Sequence, residues 1–338
     1  MKIAFLNIYQ GKVERGAETF VSELSKKLTI NHEVKIFSSY QNMKKRWSFL
    51  WRFYIDPYGF QTFCSTLKFL PLIWREKFDV VIPLNGGWQP ALVRLTTWLY
   101  GGKMVISGQS GIGWDDRNNL WCFPDRFIAL SSFAKSWAKR ANPFVKSVYI
   151  PNGVNLNKFS SKGKIYKTNL QKPIMLCNAA LIHSKRIDLV IKAVAGVNAS
   201  LLLVGDGELK KEIFDLGKKL LGKRFNLIKI PYEKVDNVYR ACDLFTIASM
   251  SYYSFEIVLV EAMATGLAVV ANNDAIREEI VGEAGILINP ENTEEYAKAL
   301  DTALNKHWGV RPRKQAGKFN WDNVALSYEK LFKVLTSK

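Results

Sequence analysis

Residues 173–208 read PIMLCNAALIHSKRIDLVIKAVAGVNASLLLVGDGE. The run 173–178 is short, continuous and apolar, as expected of a strand covered on both faces. Ile187, Val190, Ile191 and Val194 then recur at the three-and-four spacing of an amphipathic helix. A second apolar run, 200–204, ends in Gly205-Asp206-Gly207. Strand, helix and strand in about thirty residues form the βαβ unit of a parallel sheet.

The same rhythm extends in both directions. Upstream, 2–8, 33–37, 78–83, 103–107 and 126–130 read as strands, with helical spacing over 17–28. Downstream, 226–230, 244–248 and 268–271 read as strands, and 208–221, 235–241, 259–264 and 293–304 as helices. Between the two series lies 151–172, polar, opened by Pro151-Asn152-Gly153 and without periodicity, which reads as a linker. The expected fold class is α/β, with two doubly wound Rossmann-like domains facing across a cleft, 1–160 and 161–320. Ligands of such sheets bind outside the carboxyl ends of the strands.

Composition narrows the function. The chain has 338 residues, 48% hydrophobic and 23% charged, with a mean hydropathy of −0.06, values of a globular protein of about two domains. No apolar run is long enough to span a membrane, and the N-terminus reads as a strand, not a signal peptide. The four cysteines are scattered and there are only three histidines, which excludes a zinc ribbon and fits a reducing cytoplasm. The net charge of +18 points to a polyanionic partner. Residues 1–160 carry 22 Lys/Arg against 10 Asp/Glu, +12, so the first half does most of the attracting.

Three segments carry chemistry. Lys185 and Arg186 precede the 187–195 helix, where unpaired N–H groups and a cation suit a diphosphate; a solvated basic turn has the same spacing. Gly205 sits in a strand-to-helix turn where a ligand can approach the backbone, although a plain turn reads alike. Tyr253-Ser254-Phe255-Glu256-Ile257-Val258-Leu259-Val260-Glu261 sets two carboxylates five residues apart at a loop-to-helix transition. Glu261 lies in an apolar stretch, where it needs a hydrogen-bonding partner, from sugar hydroxyls or from nearby backbone.

Taken together, these segments resemble the family-4 retaining glycosyltransferases of GT-B architecture (glycosyl transferases group 1). The landmarks are Gly16-Ala17-Glu18, Asn31-His32-Glu33-Val34, Ile150-Pro151-Asn152-Gly153-Val154, Lys185, Gly205-Asp206-Gly207, Ala241-Cys242-Asp243-Leu244 and Glu261-Ala262-Met263-Ala264 with Gly266 and Val269-Val270. The resemblance implies transfer of a sugar from a nucleotide-sugar donor to a hydroxyl acceptor, lipid-linked or a growing cell-surface glycan, with retention of configuration. It implies that Lys185 holds the donor diphosphate and Glu261 the ribose. Ser254, Phe255, Ile257 and Val258 would face the sugar, Tyr232 would lie near the base, and Gly16 would let the first loop close over the phosphates. Lys185, Glu261 and Glu256 are the candidate catalytic residues. The tail 321–338 is expected to pack back on the first domain.

The chain departs from the family pattern at four points. Ala180 stands where such enzymes carry Arg, Tyr253 where they carry the first of two glutamates, and Glu256 where they carry Gly. Gln109, followed by Ser110, stands where a His is often found; both are acceptor-side candidates. Arg186 is a candidate substitute for the missing Arg. No Asp-x-Asp stands at a strand end, so no metal or other cofactor is expected, and cations and helix dipoles must stabilise the leaving group.

Residues 43–77 hold ten aromatics and seven Lys/Arg against two acids. Arg46, Trp47, Trp51, Arg52 and Tyr54 are candidates for a face toward anionic membrane, with the enzyme peripheral on the cytoplasmic side; a core helix with a packed loop has the same composition. Two rival functions stand: a degenerate GT-B binding or scaffold protein, given Ala180, Tyr253 and Gln109, and a basic nucleic-acid binder, against which the absence of any nucleic-acid motif speaks.

Overall fold

The computed structural model describes residues 1–12, 16–39, 46–252 and 254–337. Tyr253, and the basic residues Lys44 and Lys45, lie outside the described residues. The chain forms two compact units, Met1–Asn152 with Trp321–Lys338, and Gly153–Asn320.

The first unit is a six-stranded sheet of β1 (Lys2–Leu6), β2 (Glu33–Phe37), β3 (Val80–Pro83), β4 (Lys103–Ser107), β5 (Arg126–Ala129) and β6 (Ser147–Tyr149), in the order β2-β1-β3-β4-β5-β6. All its pairings are parallel, with Phe5 opposite both Ile36 and Ile82. The connecting helices are α1 (Gly16–Leu28), α2 (Pro57–Glu76), α3 (Trp88–Tyr100), α4 (Trp114–Trp121) and α5 (Ser132–Ala141). The period of two along β1 sorts the core. Ala4 and Leu6 pack with Phe69, Ile73, Val93 and Ala138 on one face, and Ile3 and Phe5 with Phe20, Val21 and Leu24 on the other. The C-terminal helix Trp321–Thr336 closes that second face with Trp321, Val324, Tyr328 and Phe332. The Tyr328 and Ser107 hydroxyls are 3.2 Å apart.

The second unit repeats the plan with β7 (Ile174–Asn178), β8 (Ser200–Val204), β9 (Phe225–Ile228), β10 (Leu244–Ile247), β11 (Val269–Asn272) and β12 (Gly285–Ile288), ordered β12-β11-β10-β7-β8-β9 and wholly parallel. Its helices are α6 (Ile187–Ala195), α7 (Lys210–Leu221), α8 (Val235–Tyr239), α9 (Ile257–Thr265), α10 (Ala275–Val281), α11 (Thr293–Asn305) and α12 (Arg311–Gly317). Sequential strands run outward from β7 on one side and from β10 on the other. The strand order therefore reverses between the parallel neighbours β7 and β10, the topological switch point where a doubly wound sheet opens a crevice. The polar stretch that enters this unit is tied down. The Arg313 guanidinium donates to the carbonyls of Leu156, Phe159 and Ala264, and that of Arg240 to Lys158, Ser160 and Lys164. Among the described residues, no helix is long and apolar enough to cross a membrane.

Candidate functional site

Two loops meet at the carboxyl ends of β7 and β10. The first, after Asn178, makes a single 3₁₀ turn over His183–Lys185 before α6 begins at Ile187. Lys185 thus ends that turn instead of opening the helix, with Arg186 in the left-handed region (φ 45°) between them. The second loop runs from Ala248 to Glu256 and delivers α9. Almost every residue of α9 is buried, as its all-round apolar sequence requires, so Glu261 is carried into the interior at 2% exposure.

The structure brings Lys185 and Glu256 together. Lys185 Nζ donates to Glu256 Oε1 at 2.7 Å, with only 11% and 5% of the side chains exposed. Arg277 Nη2 reaches the same oxygen at 3.3 Å, and its Nη1 reaches Asp274 Oδ2 at 3.1 Å. Asp274 caps α10 through Ile276 N and Arg277 N and accepts from Asn272 Nδ2. Burial opposes the charge of Glu256, but Lys185 and Arg277 outweigh it and hold its carboxyl below the usual carboxylate range.

Glu261 stands on the other side of α9. Its Oε2 accepts from the Tyr239 hydroxyl at 2.9 Å, and that hydroxyl accepts from Asn178 Nδ2 at 3.1 Å. Burial and the Glu261 charge push the Tyr239 hydroxyl well up, so it stays a donor. Tyr232 lies beneath Lys158, whose Nζ is 3.4 Å from the ring centre and donates to the Tyr232 carbonyl at 2.6 Å. Phe255 is buried edge-on against Phe319, Ile257 is buried, and Ser254 and Val258 are half-buried.

Two of the candidates are engaged within the protein. Arg186 does not turn its guanidinium to the Lys185 site: Nε donates to the Ala248 carbonyl at 2.9 Å, Nη2 to the Ser249 carbonyl at 3.3 Å, and Nη1 to Glu291 at 3.0 Å. It fastens the two loops together and lines a polar hollow of about 380 Å³ with Ser251, Asn272, Asn273 and Asn289. Gly205 and Gly207 each make room for protein backbone. A Cβ on Gly205 would meet the Ala179 carbonyl oxygen at 2.0 Å, and one on Gly207 the Leu181 carbonyl oxygen at 2.5 Å. These glycines let the loop that carries Lys185 cross the β8 end.

In the first unit, Gly16 opens α1, and the Glu18 side chain, buried two residues on, accepts from Asn7 Nδ2 at 3.3 Å. Gln109 and Asn152 exchange amide hydrogen bonds of 3.0 and 2.9 Å, and Gln109 also donates to Ser107 Oγ, while Ser110 is exposed. Within the aromatic segment Phe49–Phe53 form a 3₁₀ helix, and the candidates Trp47, Trp51 and Tyr54 are exposed, half-buried and buried in turn, so they do not make one exposed face. Tyr54 turns inward with φ 57°. Its hydroxyl donates to Asp115 Oδ1 at 2.9 Å, and its carbonyl accepts from Trp88 Nε1 at 3.3 Å. Trp51 is half-buried with Arg46 5.3 Å and Arg52 6.0 Å from its ring. Trp47, Phe49 and Phe53 are more than half exposed.

The sequence reading missed Asn178, Tyr239, Asp274 and Arg277. Asp274 and Arg277 carry a local signal, a capping Asp three residues before an Arg; the other two gain meaning only from the fold.

A family model, glycosyl transferases group 1, matches residues 160–319. An uncharacterized glycosyltransferase of Methanocaldococcus jannaschii is 29% identical over 170 residues, 46% of this chain and 43% of its own. The phosphatidyl-myo-inositol mannosyltransferase of Mycobacterium leprae is 29% identical over 224 residues, covering 62% of this chain and 59% of its own. That of Mycobacterium tuberculosis is 30% identical over 185 residues, covering 52% and 48%. The chain spans about half the length of the curated relatives it matches. Among solved structures, HepE of Anabaena in complex with UDP and glucose superposes with a TM-score of 0.77 at 18% identity, over 99% of this chain and 100% of that one. A glycosyltransferase from Rickettsia africae gives 0.76 at 17% identity, over 100% and 99%. These superpositions show the fold, GT-B, over the whole chain. The segment that carries Lys185, Glu256 and Glu261 is also the one the family model matches, so over residues 160–319 the chain is similar to glycosyl transferases group 1.

Proposed function

We propose that the protein is a retaining glycosyltransferase that takes a sugar from a nucleotide-sugar donor and passes it to a hydroxyl acceptor, lipid-linked or a growing glycan. One observation carries this reading: the switch point of the second sheet holds a buried cation, Lys185, and a buried carboxylate, Glu261, on adjoining loops and helix. Lys185 offsets the charge that builds on the departing diphosphate. Glu261 accepts hydrogen bonds from ribose hydroxyls, with Tyr239 holding its other oxygen in place. The backbone from Ser254 to Val258 faces the sugar. The acceptor oxygen attacks the anomeric carbon on the face the diphosphate leaves. That carbon's bond to the diphosphate oxygen breaks as the new one forms, and the acceptor proton passes to the departing phosphate. The relatives named for mannosyl transfer to phosphatidyl-myo-inositol and the neighbour solved with UDP favour donors and acceptors of these classes. Lys185 supplies the charge for which other transferases use a metal, so metal independence belongs to the proposal.

The protein works at an anionic membrane surface. Trp47, Phe49 and Phe53 are exposed beside Arg46 and Arg52. On α2, Phe60, Leu67 and Trp74 recur at seven-residue steps and are exposed; on α3, Trp88, Leu95 and Leu99 are exposed as well. Aromatics of this kind settle among lipid headgroups, and the bases draw the protein to anionic lipid.

A thermal-shift screen of nucleotide sugars, followed by donor-consumption assays with the ligands that stabilise, tests the activity. A ligand at 100 times its dissociation constant adds about 2.7 kcal/mol. A protein stabilised by no nucleotide sugar refutes the proposal. Nucleotide binding without turnover in the presence of lipid and glycan acceptors supports the scaffold reading instead.

A further inference from the structure

Glu256 occupies a place its residue type does not favour. Its backbone is left-handed, φ 57° and ψ 71°, at the N-cap of α9, a region where glycine is at ease and other side chains are strained. What holds it there is charge. Its Oε1 accepts from Lys185 Nζ at 2.7 Å and from Arg277 Nη2 at 3.3 Å. One anionic oxygen shared by a lysine and an arginine is also how a phosphate oxygen is bound. Arg277 is fully buried, and its Nε has no hydrogen-bond partner among the described residues. Such an orphaned donor is costly unless an acceptor reaches it. Position 180, where the resemblance calls for an Arg, is Ala, while Arg186 is engaged with the carbonyls of Ala248 and Ser249.

We infer that Arg277 is the second cation of the diphosphate subsite and that the Glu256 carboxylate competes with the donor's phosphate for Lys185 and Arg277. This rests on the proposed donor site. An incoming diphosphate takes both cations, and Glu256 gives up its hydrogen bonds to them. Glu256 thereby lowers donor affinity and returns to the cations when the nucleoside diphosphate leaves.

The test is calorimetric titration of the full chain with UDP, GDP, UMP and GMP, comparing the parent, Glu256→Gln and Glu256→Gly. The glycine variant removes the carboxylate and suits the left-handed backbone, so it keeps the test available if Glu256→Gln misfolds. We expect whichever diphosphate the parent binds to bind about tenfold or more tightly to the variants, with a much smaller gain for its monophosphate. Adding Arg277→Lys to Glu256→Gly should take most of that gain away. Diphosphate binding by the parent with an equal or weaker affinity in both variants overturns the competition and leaves the donor site standing. A gain that survives Arg277→Lys removes Arg277 from the subsite. An equal gain for the monophosphate contradicts the assignment to the diphosphate. Failure of all four nucleotides to bind parent and variants refutes the donor site itself, and the inference with it.

Discussion

The Tyr239 hydroxyl donates to Glu261 Oε2 across 2.9 Å while accepting from Asn178 Nδ2, so a residue of α8 and the end of β7 fix a carboxylate of α9. All three elements border the switch point, and the chain of bonds leaves Glu261 oriented before any nucleotide arrives. Tyr239→Phe removes the donor to Glu261 and the acceptor for Asn178. Denaturant unfolding should show a loss of about 1–3 kcal/mol, the cost of leaving buried polar groups unpaired, and nucleotide titration should show weaker binding. Glu261→Gln should weaken nucleotide binding more than it weakens the fold. Unchanged affinity in both variants would remove Glu261 from the ribose subsite.

Asp116 in α4 is completely buried. Burial first, and the neighbouring Asp115 second, push its carboxyl well above the usual carboxylate range. Asn119 Nδ2 donates to it at 3.3 Å, while Asn119 Oδ1 lacks a partner among the described residues. Because the folded state holds this proton more tightly than the unfolded chain does, the stability it contributes is full below the unfolded value of about 3.9. It is lost as pH rises toward the raised folded value. Asp116→Asn has no proton to lose. Its stability relative to the parent should therefore climb as pH rises from about 4 to 7, read by thermal unfolding at each pH. A difference that does not vary with pH would show that Asp116 titrates normally.

Vesicle co-sedimentation tests the membrane face. Binding to anionic vesicles should exceed binding to neutral ones and weaken with salt, since exposed charges are screened within about 8–10 Å at physiological strength. It should persist in part through the aromatic contribution, about 25 cal/mol per Å² buried. Replacing Trp47, Phe49 and Phe53 together by Ser should abolish that salt-resistant part without lowering the melting temperature. Tyr54→Ser should instead destabilise the fold, because Tyr54 is buried against Asp115, Asn118 and Trp88. Equal binding to neutral and anionic vesicles would exclude the docking surface.

Much of the architecture was legible because a parallel sheet buried on both faces writes itself as continuous apolar runs: β1, β4, β7 and β8 coincide with such runs. The edge strands β6 and β12 were not legible, being three and four residues long and half-exposed. The helix α2 was hidden by composition. Its aromatics surround the axis and Pro71, a residue that usually ends a helix, lies inside it, although Asp56 caps it through Gly59 N and Pro57 opens it. At the site, Lys185 and Glu261 could be found from order and spacing. The pairing of Glu256 with Arg277 could not, since it joins side chains across α9, β11 and the start of α10. Tyr54 was misplaced because a single left-handed residue reverses the chain after the 3₁₀ helix, which no periodicity records.

Metal dependence is read directly from turnover. With Lys185 in the role of the leaving-group cation, donor consumption should continue in excess EDTA and change little on adding Mg²⁺ or Mn²⁺. Activity lost to EDTA and restored by either ion would place a divalent cation at the diphosphate.

The role of Lys185 is open to one decisive comparison: the rate of donor turnover by Lys185→Ala against the parent, at saturating acceptor, with circular dichroism establishing that the variant is folded. Loss of a buried cation aimed at the leaving diphosphate should lower the rate about 10²-fold or more. A folded variant that turns over donor at the parental rate would mean that the switch point of the second sheet is not where the sugar leaves its nucleotide.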